Sequence, residues 1–543
     1  MSLRNLSFSP SHFAASRAIL SAIVLITCAS HLAPAHAQEP EPTRQIILTP
    51  DILISGGVEI VGERGLILVP ENRSQPESRM IAVHFQRYPA IEKTDGRAPV
   101  FLLPGGPGGE YEFDTPVTIA ALNRLRKTRD VIAISQRGNP GVPGLVPDLS
   151  IRNAAIAPLD QPASMIKASK RSADAYQVAL ERWTAAGVDV GGYDIINIVD
   201  DIYDVRKALG YGKIVLRGCS FGSQWSFSYM KRWPDTVDRA LLSGVEPLDF
   251  AYDSAKWLWV SMARLAAQAE ADPDLAPAIP EGGLLAAYKT VLKRLRTEPA
   301  TVSVADPSSG GTIDVTVGPD DLRLGAIRYF DVLGGETDTD GLALWPHFIL
   351  ELYNGDYRAL GLMTAVARTT PSDGPMITAL IDNSLGISDK RDDQLLAEVE
   401  RQWVEPNWWY RATRNVDAAL EVDASFRDDE MLPMPVLLVS GSFDWSTPIE
   451  NAQHAEAFLE QGKLVTIGGA THCPLYQTEQ VLAQNPELVE TLYTFIDRDF
   501  EDADEATEYF ASLPDSYDLS VIDFAPRDDI SIYQKMIESA LKP

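Results

Sequence analysis

The pentapeptide Gly218-Cys219-Ser220-Phe221-Gly222 places a serine in a turn of small residues, behind an apolar run and ahead of a segment with helical spacing. A serine hydroxyl is a weak nucleophile until a base takes its proton and an acid holds that base. Gly218 and Gly222 lack β-carbons, so a strand and a helix can close on each other while the serine occupies a strained turn. The pattern arises by chance in long chains; the strand before it and the helix after it give it weight here. The base follows by elimination. Beyond residue 37 the histidines are His84, His347, His454 and His472. The first lies in a β-run, the second in a helical stretch and the third on a helix. His472 follows an apolar strand in a glycine-rich loop, "GGATHCP", where a loop-borne base belongs. Asp444, in "GSFDWSTP" after the strand "PVLLVSG", is the candidate acid. A tetrahedral intermediate also needs backbone donors. The amide of Phe221 is one candidate and that of Gly106, in the turn "PGGPGG", is the other. This chemistry needs no metal and no organic cofactor, and none is expected.

The surrounding pattern must position these residues. "QIILTPDILI", "GLILVPEN" and "RMIAVHFQRYPA" are β-rich runs that precede the sheet proper. "APVFLLPGGPGG" and "RDVIAISQRGNPG" are buried strands ending in glycine and polar residues. "IINIVDDIYDVRKALGYG" has helical spacing and a glycine stop. "KIVLRGCSFGSQWSFSYMKRW" reads as strand, sharp turn and helix, and "DRALLSGVEP" as a further strand. Short apolar strands alternating with amphipathic helices predict an α/β fold with a mostly parallel central sheet. The alternation breaks at 250–430, which reads as mainly helical, and resumes after it. The expected organisation is a signal peptide (1–37), the first part of the core (38–249), a helical cap (250–430) and the second part of the core with an acidic tail (431–543). The tail keeps aromatic and aliphatic residues, so it is expected to pack. The order Ser220, Asp444, His472 is that of α/β-hydrolases.

"PVFLLPGGPGG", "SQRG", "DVRKALGYGKIVLRGCSFGS", "DRALLSGV", "PVLLVSGSFDWSTP" and "GATH" together resemble the prolyl and tripeptidyl aminopeptidase branch of the α/β-hydrolases, over about residues 66–250 and 430–480. The resemblance implies a serine hydrolase with a helical cap and puts Ser220, Asp444 and His472 on the triad positions. Two residues depart from the branch: Ser135 replaces an acid before "QRG", and Cys219 precedes the nucleophile.

Cys219 and Cys473 flank the proposed nucleophile and base. In a working triad those two side chains meet, so their neighbours can lie within the span of a disulfide. The Cys-Ser, Asp, His-Cys arrangement also resembles that of tannases and feruloyl esterases, where a bridge ties the base loop to the elbow. Two buried free thiols are the alternative.

The net charge of −29 argues against nucleic acid or an anionic membrane as partner. Arg4 and Arg17, the apolar run "AILSAIVLITCAS" and the small residues Ala35 and Ala37 form a secretory signal pattern. Its apolar run is too short for a stable transmembrane span. Export to the periplasm or medium is expected, with lipidation at Cys28 the minor alternative. The leading functional reading is an aminopeptidase-like serine peptidase acting on a peptide or small molecule. A carboxylesterase is the alternative, and a non-catalytic binding protein on a hydrolase scaffold the remote one. Glu246, just after a core strand, is a candidate partner for a substrate ammonium; an ordinary surface or capping acid is its other reading. Trp408 and Trp409 either line an apolar pocket or pack the cap on the core.

Overall fold

The computed structural model describes residues 44–540 apart from 56, 94–95, 112, 114–115, 139–157, 307–308, 326–337, 370–376, 418–419, 475–484, 520–521 and 525–530. The signal pattern and Cys28 lie outside the described residues. Ten strands form one sheet in the order β1-β2-β3-β5-β4-β6-β7-β10-β11-β12. They are β1 (Ile46–Ser55), β2 (Val58–Pro70), β3 (Met80–Tyr88), β4 (Val100–Leu103), β5 (Val131–Ile134), β6 (Ile214–Cys219), β7 (Val237–Ser243), β10 (Val436–Gly441), β11 (Gly462–Gly468) and β12 (Ser516–Asp518). The first three run antiparallel, ending with β3 against β5; the pairs from β5 to β12 are parallel.

Burial explains the two halves of the sheet. Every residue of β4, β5, β6 and β10 is buried, as strands covered on both faces must be. Alternate residues feed opposite cores: Phe101, Leu103, Ile214, Leu216, Val436 and Leu438 pack on one side, and Val100, Leu102, Val215, Leu437 and Val439 on the other. β2 instead alternates buried and half-buried residues along its second half. The early β-runs therefore belong to the main sheet, and His84 sits inside it on β3. Sequence pattern alone separated them because antiparallel strands with one wet face lack the continuous apolar run of a parallel core strand.

The long insertion after β7 has two parts. Helices Ala255–Ala271, Gly283–Thr297, Asp338–Asn354 and Arg358–Thr369 build a core of their own, which also takes in Phe443 and Trp445 from the loop after β10. Helix Ile377–Leu385 packs instead on the sheet's helices, where Ser384 Oγ accepts from the Ile195 amide (2.9 Å). A hairpin of β8 (Ala300–Ala305) and β9 (Thr312–Val317) interrupts the helices. Its alternating β-branched residues, "ATVSVA" and "TIDVTV", favour strands. The acidic tail packs: Ile522, Phe524 and Ile532 join the insertion's core, and the Phe524 carbonyl meets His347 Nε2 at 2.6 Å.

Candidate active site

Ser220 stands between β6 and the helix Phe221–Arg232 with φ 57° and ψ −133°. An L-residue holds such a conformation only where its surroundings impose it. The glycines make the turn possible. A β-carbon on Gly218 would fall on the Gly222 carbonyl and Ser226 Oγ, and one on Gly222 would fall on the carbonyls of Leu103 and Pro104. The Ser223 hydroxyl donates to the Ser220 carbonyl (2.7 Å) and accepts from the Glu246 amide (2.9 Å), tying the elbow to the end of β7.

The turn after β4 faces the serine. A β-carbon on Gly105 would lie 3.8 Å from Ser220 Oγ. Gly106 has φ +118°, and the Gly109 amide closes the turn on the Gly105 carbonyl (3.2 Å). Gln136, fully buried after β5, braces it: Oε1 accepts from the Gly108 amide (2.6 Å), and Nε2 reaches the carbonyls of Pro104 and Gly105 (3.3 Å each). Phe221 opens its helix, where first-turn amides have no intrahelical acceptor. Next to Gln136, Arg137 bonds both oxygens of Asp201 and the carbonyls of Glu71 and Gly192. Burial works against the Asp201 charge, but Arg137 and Arg73 outweigh it and hold the carboxyl below its ordinary range. The "QRG" segment thus fixes the loop without the acid that Ser135 replaces.

His472 lies beyond β11, with Nδ1 at 3.1 Å from both oxygens of Asp444. Asp444 is fully buried. It also accepts from the amides of Ser446 (3.0 Å) and Thr447 (2.7 Å) and from the Thr447 hydroxyl (2.8 Å). Its carbonyl accepts from Ser261 on the first helix of the insertion (2.6 Å). Cys219 and Cys473 are joined in a disulfide with their Cα atoms 5.7 Å apart. Cys473 has φ 57° and, with Ser220, is one of two non-glycine residues at positive φ among those described. Gly244, φ +52°, marks where elbow, bridge and imidazole converge: a β-carbon there would lie 2.9 Å from Cys219 Sγ, 3.0 Å from His472 Cε1 and 3.1 Å from the Ser220 amide. The sequence signal for it is the glycine directly after a core strand, in "LLSGV", within the run that reads as a strand. One imidazole nitrogen and the two sulfurs lie within 4.8 Å of one another. Joined to each other, the sulfurs offer no thiolate to a metal.

Glu246 lies beside this group with two acids that sequence reading missed, Asp253 and Asp382. Burial pushes the Glu246 carboxyl well up, and the nearby charges of Asp253, Asp382 and Asp444 add to it. Asp253 is pushed up to about 7, chiefly by burial, with Asp444 adding and His472 and Arg391 opposing. Asp382 is raised well above its ordinary value by burial and by Asp253. Its Oδ2 is buried with no hydrogen-bond partner. The Tyr410 phenol, raised by burial and by Asp382, Asp253 and Glu246, closes the group. Trp409 packs on the sheet's main core, and helix Trp408–Asp417 lies along helix Met165–Ala185, where Ser169 Oγ donates to the Trp408 carbonyl (3.4 Å). No sequence spacing links 246, 253, 382 and 410; only the insertion's path brings them together.

Residues 98–281 match the alpha/beta hydrolase fold family. A curated relative, the putative hydrolase YuaR of Escherichia coli (strain K12), is 26 % identical over 188 residues, which cover 33 % of this chain and 34 % of that protein. The chain thus spans about a third of that relative's length. Solved structures similar to it include a proline iminopeptidase from Mycobacterium smegmatis (15 % identity, 82 % of this chain and 97 % of that one, TM-score 0.36). Others are the serine hydrolase CCSP0084 from Cycloclasticus zankles (11 %, 84 % and 100 %, TM-score 0.35) and an esterase from Thermogutta terrifontis (15 %, 79 % and 99 %, TM-score 0.30). The largely parallel sheet, the elbow after β6 and the match over 98–281 give this chain the α/β-hydrolase fold.

Proposed function

We propose that this chain is an exported serine hydrolase of the aminopeptidase type, releasing an acyl group that bears a free ammonium. In this reading Ser220 attacks the carbonyl, and His472 Nε2 takes its proton and returns it to the leaving group. Asp444 stabilises the imidazolium, and the amides of Phe221 and Gly106 receive the oxyanion. Water then attacks the acyl-enzyme by the same proton path. The observation that carries the substrate class is the carboxylate group beside the triad. Among the described residues no lysine or arginine forms an ion pair with Glu246, Asp253 or Asp382. Asp382 is buried and Glu246 and Asp253 are half-buried, with Arg391 and His472 acting on Asp253 only at a distance, and acids so placed are costly unless a ligand brings a cation to pair with them. A substrate ammonium does so and thereby fixes which acyl carbonyl reaches Ser220. The bridge Cys219–Cys473 supports maturation in an oxidising compartment. The same bridge, flanking nucleophile and base, favours a carboxylesterase as the second reading. A parallel screen of aminoacyl and peptidyl anilides, their N-acylated forms, and aryl and alkyl esters tests both. Turnover of free-amine anilides that is lost on N-acylation supports the first reading, whereas equal turnover of blocked and free substrates overturns it in favour of the second.

A further inference from the structure

We infer that Thr447 is a positioning residue for His472 and joins Asp444 in keeping the proton on the imidazole Nδ1. The inference rests on reading Ser220, His472 and Asp444 as a triad. Thr447 is fully buried, three residues after Asp444. Its hydroxyl donates to Asp444 Oδ2 (2.8 Å), and the same oxygen lies 3.1 Å from His472 Nδ1. Both carboxylate oxygens stand at that distance from Nδ1 as well.

A threonine hydroxyl has one proton to give and lone pairs to receive with. An ionised carboxylate is a stronger acceptor than a neutral imidazole, so the proton goes to Oδ2. A Thr447 lone pair is then left facing Nδ1. Three acceptor oxygens surround one ring nitrogen, and a bare Nδ1 would set its own lone pair against all three. Nδ1 is therefore the N–H, and Nε2 is the bare nitrogen able to take the Ser220 proton. When that proton moves from Ser220 Oγ to Nε2, the Nδ1–H of the imidazolium stays shared among the same three oxygens. The Thr447 amide, which donates to Oδ1 (2.7 Å), keeps the carboxylate from rotating out of this arrangement. Valine has the shape of threonine without the hydroxyl, so it would preserve packing and remove both roles.

The test compares Thr447→Val, Thr447→Ala and Thr447→Ser in the full-length protein. The readouts are the rate at which a fluorophosphonate labels Ser220, and kcat and KM on any substrate found in the screen. Valine and alanine are expected to lower the labelling rate and kcat by about tenfold or more, the worth of one charge-assisted hydrogen bond, with KM within about twofold of wild type. Serine keeps the hydroxyl and is expected to stay within about threefold. The imidazole N–H proton resonance of His472, observed in the Ser220→Ala background, should shift with valine and hold with serine. Labelling of the valine protein at the wild-type rate, or a serine protein as slow as the valine one, overturns the inference. If the valine protein does not fold, alanine against serine carries the same contrast. If wild type itself does not label at Ser220, the triad reading falls, and the histidine resonance still decides the role of Thr447.

Discussion

Asp444 and Asp382 are both almost wholly buried, 0 % and 4 % exposed, and the protein treats them in opposite ways. Asp444 accepts from two amides and a threonine hydroxyl and faces the imidazole through both oxygens. Asp382 has an oxygen with no partner, and Asp253 close enough to push its carboxyl further up. Donors that converge on a buried carboxylate keep its charge at little cost; like-charged neighbours make the same charge expensive. The first arrangement suits a group whose charge must be present throughout a reaction. The second suits a group whose charge is balanced only when a cation arrives. In the proposed reading the site thus has a finished end and an unfinished end, and experiments can set the two against each other.

The largest expected effects lie at the finished end. Ser220→Ala and His472→Ala should each lower kcat by about 10⁴-fold or more, with Asp444→Ala somewhat milder. Substrate binding by the Ser220→Ala protein should survive, because the acids are untouched; equilibrium dialysis against a free-amine substrate measures this. Full turnover by Ser220→Ala would remove the triad reading altogether. The bridge comes next. It spans 254 residues, and in the chain-entropy account a loop of that length is worth about 5 kcal/mol. Cys473→Ser should therefore lower the denaturation midpoint clearly and reduce activity by freeing the His472 loop. Alkylation of the denatured, unreduced protein followed by intact-mass measurement shows whether both sulfurs are blocked.

At the unfinished end the direction of the stability change reverses. Asp382→Asn puts a neutral amide where burial and Asp253 already disfavour the carboxylate, so it should leave stability unchanged or raise it by about 1 kcal/mol in urea unfolding. Asp444→Asn should lower stability, because its amide would meet donors arranged for a carboxylate. Glu246→Gln and Asp382→Asn should each raise KM for free-amine substrates about tenfold and leave N-acylated esters unaffected. Should Asp382→Asn destabilise the protein as strongly as Asp444→Asn, the two ends do not differ as described.

These two ends also differ in how far the chain's letters reveal them. The elbow, acid and base proposed as a triad were legible because a strained elbow needs glycines at set spacing, and because an acid and a base at strand ends leave short signatures, "GSFDWSTP" and "GGATHCP". The parallel strands were legible from continuous apolar runs. β1–β3 were recognised as strands but not as part of the main sheet, since pairing partners are not encoded in a one-faced strand. The hairpin β8–β9 was passed over because two short strands lay inside a stretch dominated by helical spacing. Asp253 and Asp382 could not be found. Each stands in an unremarkable segment, and what makes them functional candidates is their place beside Glu246, a property of the tertiary path. Gln136 and Arg137 were noticed as a motif, but their bracing of the turn and of Asp201 needed the folded contacts.

The smallest effect links the two ends through pH. Asp253 titrates near 7 in the folded chain and near its ordinary value of 3.8 when unfolded. A raised folded value means that its contribution to stability is full below about pH 4 and is lost as pH rises through about 7. Over that same window the carboxyl becomes an anion, which an ammonium requires. Stability and ammonium affinity should therefore move oppositely between about pH 4 and 7: the unfolding midpoint drifts down while free-amine binding tightens, by about tenfold at most. Binding to the Ser220→Ala protein near pH 6 should also release a proton, because the arriving ammonium favours the ionised carboxyl. Calorimetry in buffers of different ionisation enthalpy reads that release directly. Asp253→Asn should abolish the proton release and flatten the drift in stability, while Asp444, held by its own donors, continues to serve His472. Proton release that persists undiminished in Asp253→Asn would assign the titration to Glu246 or Asp382 instead.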